Sequence, residues 1–136
     1  MKDTELAYLA GFFDGEGTIY IQKHNKKNKF HMRLEVSITN TSYEVVSLFC
    51  VLGHSHHSIY SNKTIPNSRL IHRIRFSGID TIKKVLVAIY PYLFLKKRHA
   101  ELIIRFCNIH KKYSRILTTE ELAIYTELKK LNKRGI

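Results

Sequence analysis

The chain has 136 residues, of which 44% are hydrophobic and 25% charged, values typical of one globular domain. A domain near this size buries roughly 68% of its unfolded surface, so it builds a core without disulfides or structural metals. Lys and Arg number 23 against 11 Asp and Glu, which gives a net charge of +12. This balance predicts a polyanionic partner, most often nucleic acid.

The same data disfavour several classes of protein. Two cysteines, Cys50 and Cys107, are too few for a disulfide framework or a four-thiolate zinc site. The charged N-terminus does not resemble a secretory signal, and the longest apolar run, 85–95, is too short to cross a bilayer. We therefore expect no membrane association and a reducing intracellular setting, either an organelle (mitochondrion or chloroplast) or a prokaryotic cytoplasm.

The first half of the chain is predicted to form a helix, a hairpin and a second helix. Residues 4–14 carry an apolar stripe after a threonine that can cap a helix. Alternating polar and apolar residues predict strands over 18–24 and 31–39, which together make a hairpin. Residues 41–52 begin with a match to a capping box and precede a glycine, so we expect a helix there.

The second half adds two strands and three helices. In chain order we predict a weaker strand over 54–63, a clearer strand over 69–77, and helices over 79–90, 97–112 and 118–135. Thr118 with Glu121 matches a capping box at the start of the last helix. Residues 1–136 are therefore predicted to be one α+β domain, with an antiparallel sheet whose apolar face is covered by helices.

Each predicted strand has a polar face that carries long hydrogen-bonding side chains. Alternate strand residues stand about 6.7 Å apart and base pairs stack roughly every 3.4 Å, so a strand along a groove presents one side chain to every second base pair. Arg suits guanine, Gln suits adenine, and Glu accepts from the cytosine amino group. A merely solvated face is the alternative, which the net charge disfavours. The residues predicted to contact DNA are Tyr20, Gln22, His24, Lys26, His31, Arg33, Glu35, Ser37, Thr39, His56, Ser58, Tyr60, Arg73, Arg75 and Ser77.

Small residues recur on the first helix at every fourth position, a spacing that lets another helix backbone approach closely. Glycine inside a helix costs about 1 kcal/mol relative to alanine, which indicates a packing reason for it. The neighbour is either a helix of the same chain or the same helix of a second copy. For the second case, the predicted interface residues are Ala7, Ala10, Gly11, Asp14 and Gly15.

Two acidic residues, Asp14 and Glu16, come at the end of this helix. The C-terminus of a helix carries partial negative charge, so carboxylates there repel it and each other. A divalent cation relieves this repulsion, and oxygen ligands suit Mg²⁺. Two copies of the helix meeting across a two-fold axis would bring two Glu16 side chains together, as two-metal phosphodiester hydrolysis needs. A solvated acidic turn is the alternative.

Residues 9–17, with the sequence LAGFFDGEG, resemble the LAGLIDADG motif, and the likeness continues through 18–21, 34–39 and 91–96. The chain thus resembles a single-motif LAGLIDADG homing endonuclease. The resemblance implies a saddle-shaped αββαββα fold whose sheet straddles the major groove of double-stranded DNA. It implies a homodimer, joined through the motif helix, that cuts both strands of a nearly palindromic site.

The resemblance also implies a metal site and a role for each acidic residue. Glu16 matches the direct metal ligand, and the Gly15 carbonyl matches a backbone ligand. The implied metal is Mg²⁺, with Mn²⁺ as a substitute and Ca²⁺ expected to bind without cleavage. Asp14 matches a position that is more structural than catalytic. Glu44 departs from the pattern, because some relatives carry arginine there.

Two further catalytic residues follow from the same resemblance. Asn40 matches a polar residue that orders active-site water. Lys96 matches a lysine near the scissile phosphate, although a register slip would replace it with Lys97 or Arg98. With Glu16, these residues imply a metal-dependent endodeoxyribonuclease in which Lys96 stabilises charge on the phosphate.

Three other interpretations are weighed against the nuclease. The histidines at 54–57 suggest zinc, but no paired cysteines or helix-spaced histidines accompany them. An RNA-binding intron maturase and a non-cleaving DNA-binding protein on the same fold remain open alternatives. The presence of both Glu16 and Lys96 favours the nuclease.

Overall fold

The computed structural model describes residues 1–26, 29–61, 64–110 and 117–133, and of residues 24–26 and 29–31 it describes the backbone alone. The helices are α1 (Asp3–Glu16), α2 (Tyr43–Ser47), α3 (Ile79–Ile89), α4 (Lys97–Ile109) and α5 (Thr119–Asn132). The strands are β1 (Gly17–Lys26), β2 (Lys29–Asn40), β3 (Ser55–Tyr60) and β4 (Ile71–Phe76). Short 3₁₀ turns follow α2 at Leu48–Leu52 and α3 at Tyr90–Tyr92.

The predicted elements all occur in the predicted order, and the differences lie at their ends. Helix α1 continues to Glu16, and no side chain caps its start. Helix α2 is capped by Ser42, one residue later than predicted. The capping box of Thr118 and Glu121 is confirmed at α5. The predicted ends at 63, 112 and 135 lie outside the described residues.

The four strands form one antiparallel sheet in the order β1-β2-β4-β3. The pairing between β2 and β4 joins the two hairpins in the middle of the sheet. Because paired residues of an antiparallel sheet share a face, the register decides which side chains lie together. Thr18 pairs with Ser37, Ser37 with Arg75, and Arg75 with His56. The polar sides of all four strands therefore form one continuous face.

The opposite face of the sheet packs against the helices. Six of its side chains are aliphatic or aromatic and almost fully buried: Ile19, Ile21, Val36, Ile38, Ile74 and Phe76. Helix α1 contributes Leu9, Ala10 and Phe13 to the same core, and α3 and α4 supply most of the rest. The architecture is the predicted α+β arrangement, with helices on one face of the sheet and the polar face left open.

Helix α1 runs directly into strand β1, and Gly17 makes this junction possible. A Cβ atom at Gly17 would lie 2.5 to 2.6 Å from the Phe13 ring, which is itself held in the core. Only glycine leaves room for that ring. The junction places Glu16, the last residue of α1, at the margin of the sheet.

Helix α5 is fixed to the rest of the chain at both ends. Near its start, the His110 ring nitrogen Nδ1 lies 2.7 Å from a carboxylate oxygen of the buried Glu121. At its end, the Asn132 amide Nδ2 donates to the carbonyl of Ile19 at 2.8 Å. The C-terminus of α5 therefore lies against the edge strand β1. Within the described residues, every helix is too short or too polar to cross a bilayer.

Candidate active site and nucleic-acid interface

The acidic end of α1 is partly satisfied by its own chain. The last carbonyls of a helix lack partners within the helix. Here the Phe13 carbonyl accepts from the Gly17 amide, and the Asp14 carbonyl accepts from Lys96 Nζ at 2.5 Å. The next carbonyl is that of Gly15, followed by the exposed Glu16. The Gly15 carbonyl and the Glu16 carboxylate are therefore two candidate metal ligands, next to each other in the chain, at a helix end that already carries partial negative charge.

Asp14 anchors the segment that carries Lys96. Its carboxylate accepts one hydrogen bond from the Phe94 amide at 2.7 Å and another from the Lys96 amide at 2.9 Å. These bonds connect residues 80 and 82 positions apart in the chain. Because both of its oxygens accept hydrogen bonds from backbone amides, the carboxylate holds the Lys96 segment in place.

Lys96 is the basic residue that lies beside the acidic end of α1. Burial lowers the pKa of its ammonium group, while the charges of Asp14 and Glu16 oppose that change. The side chain is thus held in a partly desolvated position within electrostatic reach of Glu16. An ammonium group placed there can stabilise negative charge on a phosphate.

The two alternatives to Lys96 point elsewhere. Lys97 Nζ lies 5.2 Å above the ring centre of Tyr90. Arg98 forms ion pairs with Glu101 and Glu127 on the outside of α4. Of these three residues, Lys96 is the one whose side chain contacts the end of α1, where its Nζ donates to the Asp14 carbonyl.

A cleft of about 500 Å³ opens beside Lys96, between the edge strand β1 and helices α4 and α5. Its lining residues are Gly17, Thr18, Ile19, Tyr20, Leu95, Lys96, His99, Leu131 and Asn132. Thr18 and Tyr20 belong to the polar face of the sheet, so the cleft and that face adjoin.

Sequence analysis missed two polar residues of this cleft, His99 and Asn132. His99 lies three residues after Lys96, nearly one helical turn away. This spacing is visible in the sequence and indicates that the two side chains are neighbours. Asn132 lies 113 residues from Ile19, whose carbonyl it binds, and its position depends wholly on how α5 packs. Burial and the nearby Lys96 lower the pKa of His99, and the interaction with Asn132 partly offsets them.

Asn40 ends strand β2, and its side chain turns toward the start of α2. Its Oδ1 accepts a hydrogen bond from the Ser42 amide at 2.8 Å. The water-ordering role that the resemblance implies for Asn40 stays a prediction. Glu44 is exposed on α2 and adds no positive charge to the site.

The residues predicted to contact DNA lie on the polar face wherever their side chains are described. Tyr20, Gln22, Arg33, His56, Ser58 and Tyr60 are exposed, and Thr39, Arg73, Arg75 and Ser77 are half-buried. The side chains of His24, Lys26 and His31 lie outside the described part of the chain. Most of the predicted set therefore shares one accessible surface.

Two members of that set are buried. Glu35 is 6% exposed and Ser37 is 2% exposed, although both lie on the predicted face. They occupy the middle of the sheet, where Tyr20 stands opposite Glu35 and Arg75 opposite Ser37. Their placement favours contact with neighbouring side chains over contact with a base.

Several polar side chains on this face contact one another. The Arg73 guanidinium lies 5.4 Å from the ring centre of Tyr60, and His56 Nε2 lies 3.1 Å from Ser77 Oγ. These contacts limit rotamer freedom before any partner binds. Arg73 Nε is buried and has no hydrogen-bond partner among the described residues, so its N–H remains an unused donor there.

The outward face of α1 carries Ala7, Gly11 and Gly15, all exposed. Among the residues that the structure describes, a Cβ atom at Gly11 or Gly15 would meet nothing within 4 Å. Packing within the chain therefore explains neither glycine, and the alternative that invoked a neighbouring helix of the same chain is wrong. Phe94, which is 85% exposed, lies beside this face because its amide binds Asp14.

Ala10 is wrong as a predicted interface residue. It is 0% exposed and packs in the core of its own chain. Successive helical residues are turned by about 100°, which carries Ala10 away from the surface that its neighbour Gly11 occupies. The Asp14 carboxylate accepts hydrogen bonds from two backbone amides of its own chain, so Asp14 lies at the margin of that surface.

The candidate metal ligands are oxygen atoms, but one chain supplies few of them. Within the described residues, no group of three His, Cys, Asp or Glu side chains is placed to hold a metal. Glu16 and the Gly15 carbonyl form the available set at the end of α1. Hard oxygen donors of this kind fit Mg²⁺, which usually keeps waters and accepts substrate phosphate oxygens as ligands.

Comparison with known proteins gives one family and one fold. A family model described as LAGLIDADG endonuclease matches residues 9–131. No curated protein matches the chain by sequence. The archaeal intron-encoded homing endonuclease I-Vdi141I, complexed with DNA, superposes with a TM-score of 0.73 at 16% identity, covering 100% of this chain and 89% of that one.

Two further solved structures share the fold. I-CvuI in complex with its target, in the presence of Ca, has a TM-score of 0.69 at 18% identity and covers 98% of this chain and 87% of that one. The group I intron-encoded homing endonuclease I-CeuI, complexed with DNA, has a TM-score of 0.71 at 14% identity and covers 93% and 67%. At these identities the superpositions establish the architecture.

Proposed function

The chain belongs to the LAGLIDADG endonuclease family, and we propose that it acts as a homodimeric homing endonuclease that makes Mg²⁺-dependent double-strand breaks at a long, nearly palindromic DNA site. The observation that carries this proposal is the placement of Glu16 and Lys96 together at the end of α1. The polar sheet face adjoins them through Thr18 and Tyr20. The residues proposed to cleave DNA and the face proposed to bind it therefore adjoin each other.

The polar face supplies DNA recognition. Exposed Gln22 and Arg33 stand opposite each other on β1 and β2, where they can reach base edges in a groove. Arg73 and Arg75 lie on β4, in line with the exposed side chains of β3. We assign the buried Glu35 and Ser37 a supporting role, since they fix the side chains that stand opposite them. The net charge of +12 favours binding to phosphates.

The outward face of α1 supplies the dimer contact. Gly11 and Gly15 leave a bare helix surface that no described residue of their own chain fills. A second copy of α1 fits such a surface closely, and exposed Phe94 extends it with apolar area. The same association would bring two Glu16 carboxylates together, which one chain alone does not provide.

Glu16 and the Gly15 carbonyl would hold Mg²⁺. The bound ion would polarise the phosphodiester and lower the pKa of water. Lys96 would stabilise the negative charge that develops on the phosphate, and Asp14 would keep Lys96 in place through the backbone. Asn40 would order water through its NH₂ group. We expect Mn²⁺ to replace Mg²⁺, and Ca²⁺ to support binding without cleavage.

Selection of cleaved duplexes from a random library, in Mg²⁺, tests this function without knowledge of the target. Wild-type protein should enrich a long site with approximate two-fold symmetry, cut on both strands. A Lys96→Met variant should enrich far less, and K97M is the matched control because Lys97 points elsewhere. Recovery of no cleaved sequence would overturn the proposal. Tight, specific binding to an intron RNA without duplex cleavage would support a maturase instead.

A further inference from the structure

An apolar groove lies beside the first half of α1, away from the residues that are proposed to cleave DNA. It has a volume of about 730 Å³ and lies between α1 and the 3₁₀ turn at Leu48–Leu52. Its walls include Tyr8, Leu48 and Val51, all of them exposed, and Val51 is 68% exposed. Large apolar side chains that are exposed next to one another mark a surface for association.

The groove and the exposed Phe94 ring lie on opposite sides of the bare surface around Gly11. Tyr8 precedes Gly11 by three residues and Asp14 follows it by three, so the two are turned about 60° from Gly11 in opposite directions. The groove is on the side of Tyr8. Phe94 is on the side of Asp14, whose carboxylate accepts from the Phe94 amide at 2.7 Å. One flank of α1 therefore offers a recess, and the other offers a ring that is 85% exposed.

Two-fold symmetry brings these unlike flanks together. In the proposed dimer, the two copies of α1 meet through their bare surfaces and place their Glu16 side chains next to each other. The two helices then run in the same direction, and the axis passes between them along their length. A rotation of 180° about such an axis puts each flank of one helix opposite the other flank of its partner. Each Phe94 therefore faces the groove of the other copy.

The crossing angle of the two helices brings the ring and the groove to a similar height. Tyr8 and Asp14 are six residues apart, which is about 9 Å along α1. Ridges of residues spaced by four pack two helices at about −50°. At that angle, positions about 8 Å to the side of each helix axis meet with an offset of roughly 7 Å along the helices. The sign of the angle makes the start of one α1 level with the end of the other on this flank.

We propose that the groove of each copy binds the Phe94 ring of the second copy, so that two symmetric ring-in-groove contacts flank the paired α1 helices. The inference rests on the proposed function, since it needs a homodimer joined through α1. Glycines provide little side-chain area, whereas a specific interface buries about 1,200–2,000 Å². A buried phenylalanine ring contributes roughly 150–250 Å² of its own. Because Phe94 belongs to the segment that carries Lys96, the contact would also fix that segment relative to the partner's α1.

Sedimentation equilibrium without DNA measures what the contact contributes. F94A should raise the dissociation constant of the dimer by about 100-fold, because the dimer loses the same contact twice. The fold should persist, since the amide that binds Asp14 remains and the lost ring is exposed. I59A is the matched control, because Ile59 is an exposed apolar residue of β3, at the edge of the sheet opposite to β1. Equal dissociation constants for wild type and F94A would overturn the inference.

Cross-linking between two different variants identifies what the groove binds. The exposed Cys50 is first replaced by serine in every protein. F94C mixed with V51C should then give a covalent heterodimer with a short bismaleimide, because the two thiols face each other across the interface. Neither variant alone should cross-link, since both copies of residue 94 lie on opposite sides of the helix pair. F94C mixed with I59C is the control. A mixture of F94C and V51C that does not cross-link, or F94C that cross-links equally well alone, would overturn the inference.

The two proposals fail in different ways. Wild-type protein that dimerises but cuts no duplex from the library would end the proposed function, while sedimentation and cross-linking would still decide the contact. Wild-type protein that stays monomeric with and without DNA would end both. If wild type dimerises and cuts, but F94A associates equally well, only the contact between Phe94 and the groove is lost. Support requires weakened association of F94A, unchanged association of I59A and a cross-link in the mixture of F94C and V51C alone.

Discussion

Asp14 binds the segment that carries Lys96 through two hydrogen bonds, and Asp14→Asn alters them with almost no change in shape. The native carboxylate accepts from the amides of Phe94 and Lys96. Asparagine keeps one oxygen, so one of these bonds survives with a neutral acceptor. The other amide N–H then faces an NH₂ group, and two donors oppose each other.

The size of the effect follows from these contacts. A hydrogen bond to a charged acceptor contributes about 1.5–3 kcal/mol, and the surviving bond is weakened as well. The exposed position of Phe94 lets water replace part of the loss. We expect D14N to lower the free energy of unfolding by about 2 kcal/mol, which moves a urea midpoint by roughly 1 M. The cleavage rate should fall further than DNA affinity, since Lys96 loses its anchor.

Urea unfolding followed by circular dichroism, at one fixed protein concentration, measures the change because association contributes to stability. The control is D80N, which removes an exposed carboxylate from the first turn of α3. That variant should lose only about 0.3–1 kcal/mol. A D14N protein within 0.5 kcal/mol of wild type would show that the two backbone contacts do not hold the segment in place.

Three other predictions follow from the exposure or burial of single residues. Gly11→Ala should stabilise the isolated helix by about 1 kcal/mol yet weaken self-association in sedimentation experiments; unchanged association would remove α1 from the interface. The exposed Cys50 should react quickly with a thiol reagent, whereas Cys107 should react only on unfolding, because burial raises its pKa to about 11; two fast thiols in the native state would contradict this. The pKa of His99 is lowered by folding, so the unfolded state binds more protons as pH falls below about 6.5. Wild type should therefore lose more stability than H99Q between pH 7 and pH 5, and parallel losses would contradict a lowered pKa of His99 in the folded protein.

The parts of the structure that follow from local patterns were predictable. Strand alternation correctly gave the two faces of β1, β2 and β4, because a residue and its second neighbour necessarily share a face. The motif at 9–17 indicated an acidic end for the first helix, although α1 continues two residues past the predicted end, to Glu16. These features depend on residues adjacent in sequence.

The parts that depend on distant contacts were not predictable. Burial of Glu35 and Ser37 follows from their central place in the sheet, which strand order decides. The cap of α2 moved from Thr41 to Ser42 because Asn40 binds the Ser42 amide and sets the turn. The link from Asn132 to Ile19 needs the packed position of α5, which no local pattern specifies.

Glu16 offers the sharpest test of the cleavage mechanism, because Glu16→Gln keeps the shape of the side chain and removes its charge. Both proteins should bind the selected duplex with similar affinity in Ca²⁺. In Mg²⁺, wild type should cut both strands, and E16Q should leave the duplex intact. Cleavage by E16Q at the wild-type rate would show that the carboxylate at the end of α1 does not hold the metal.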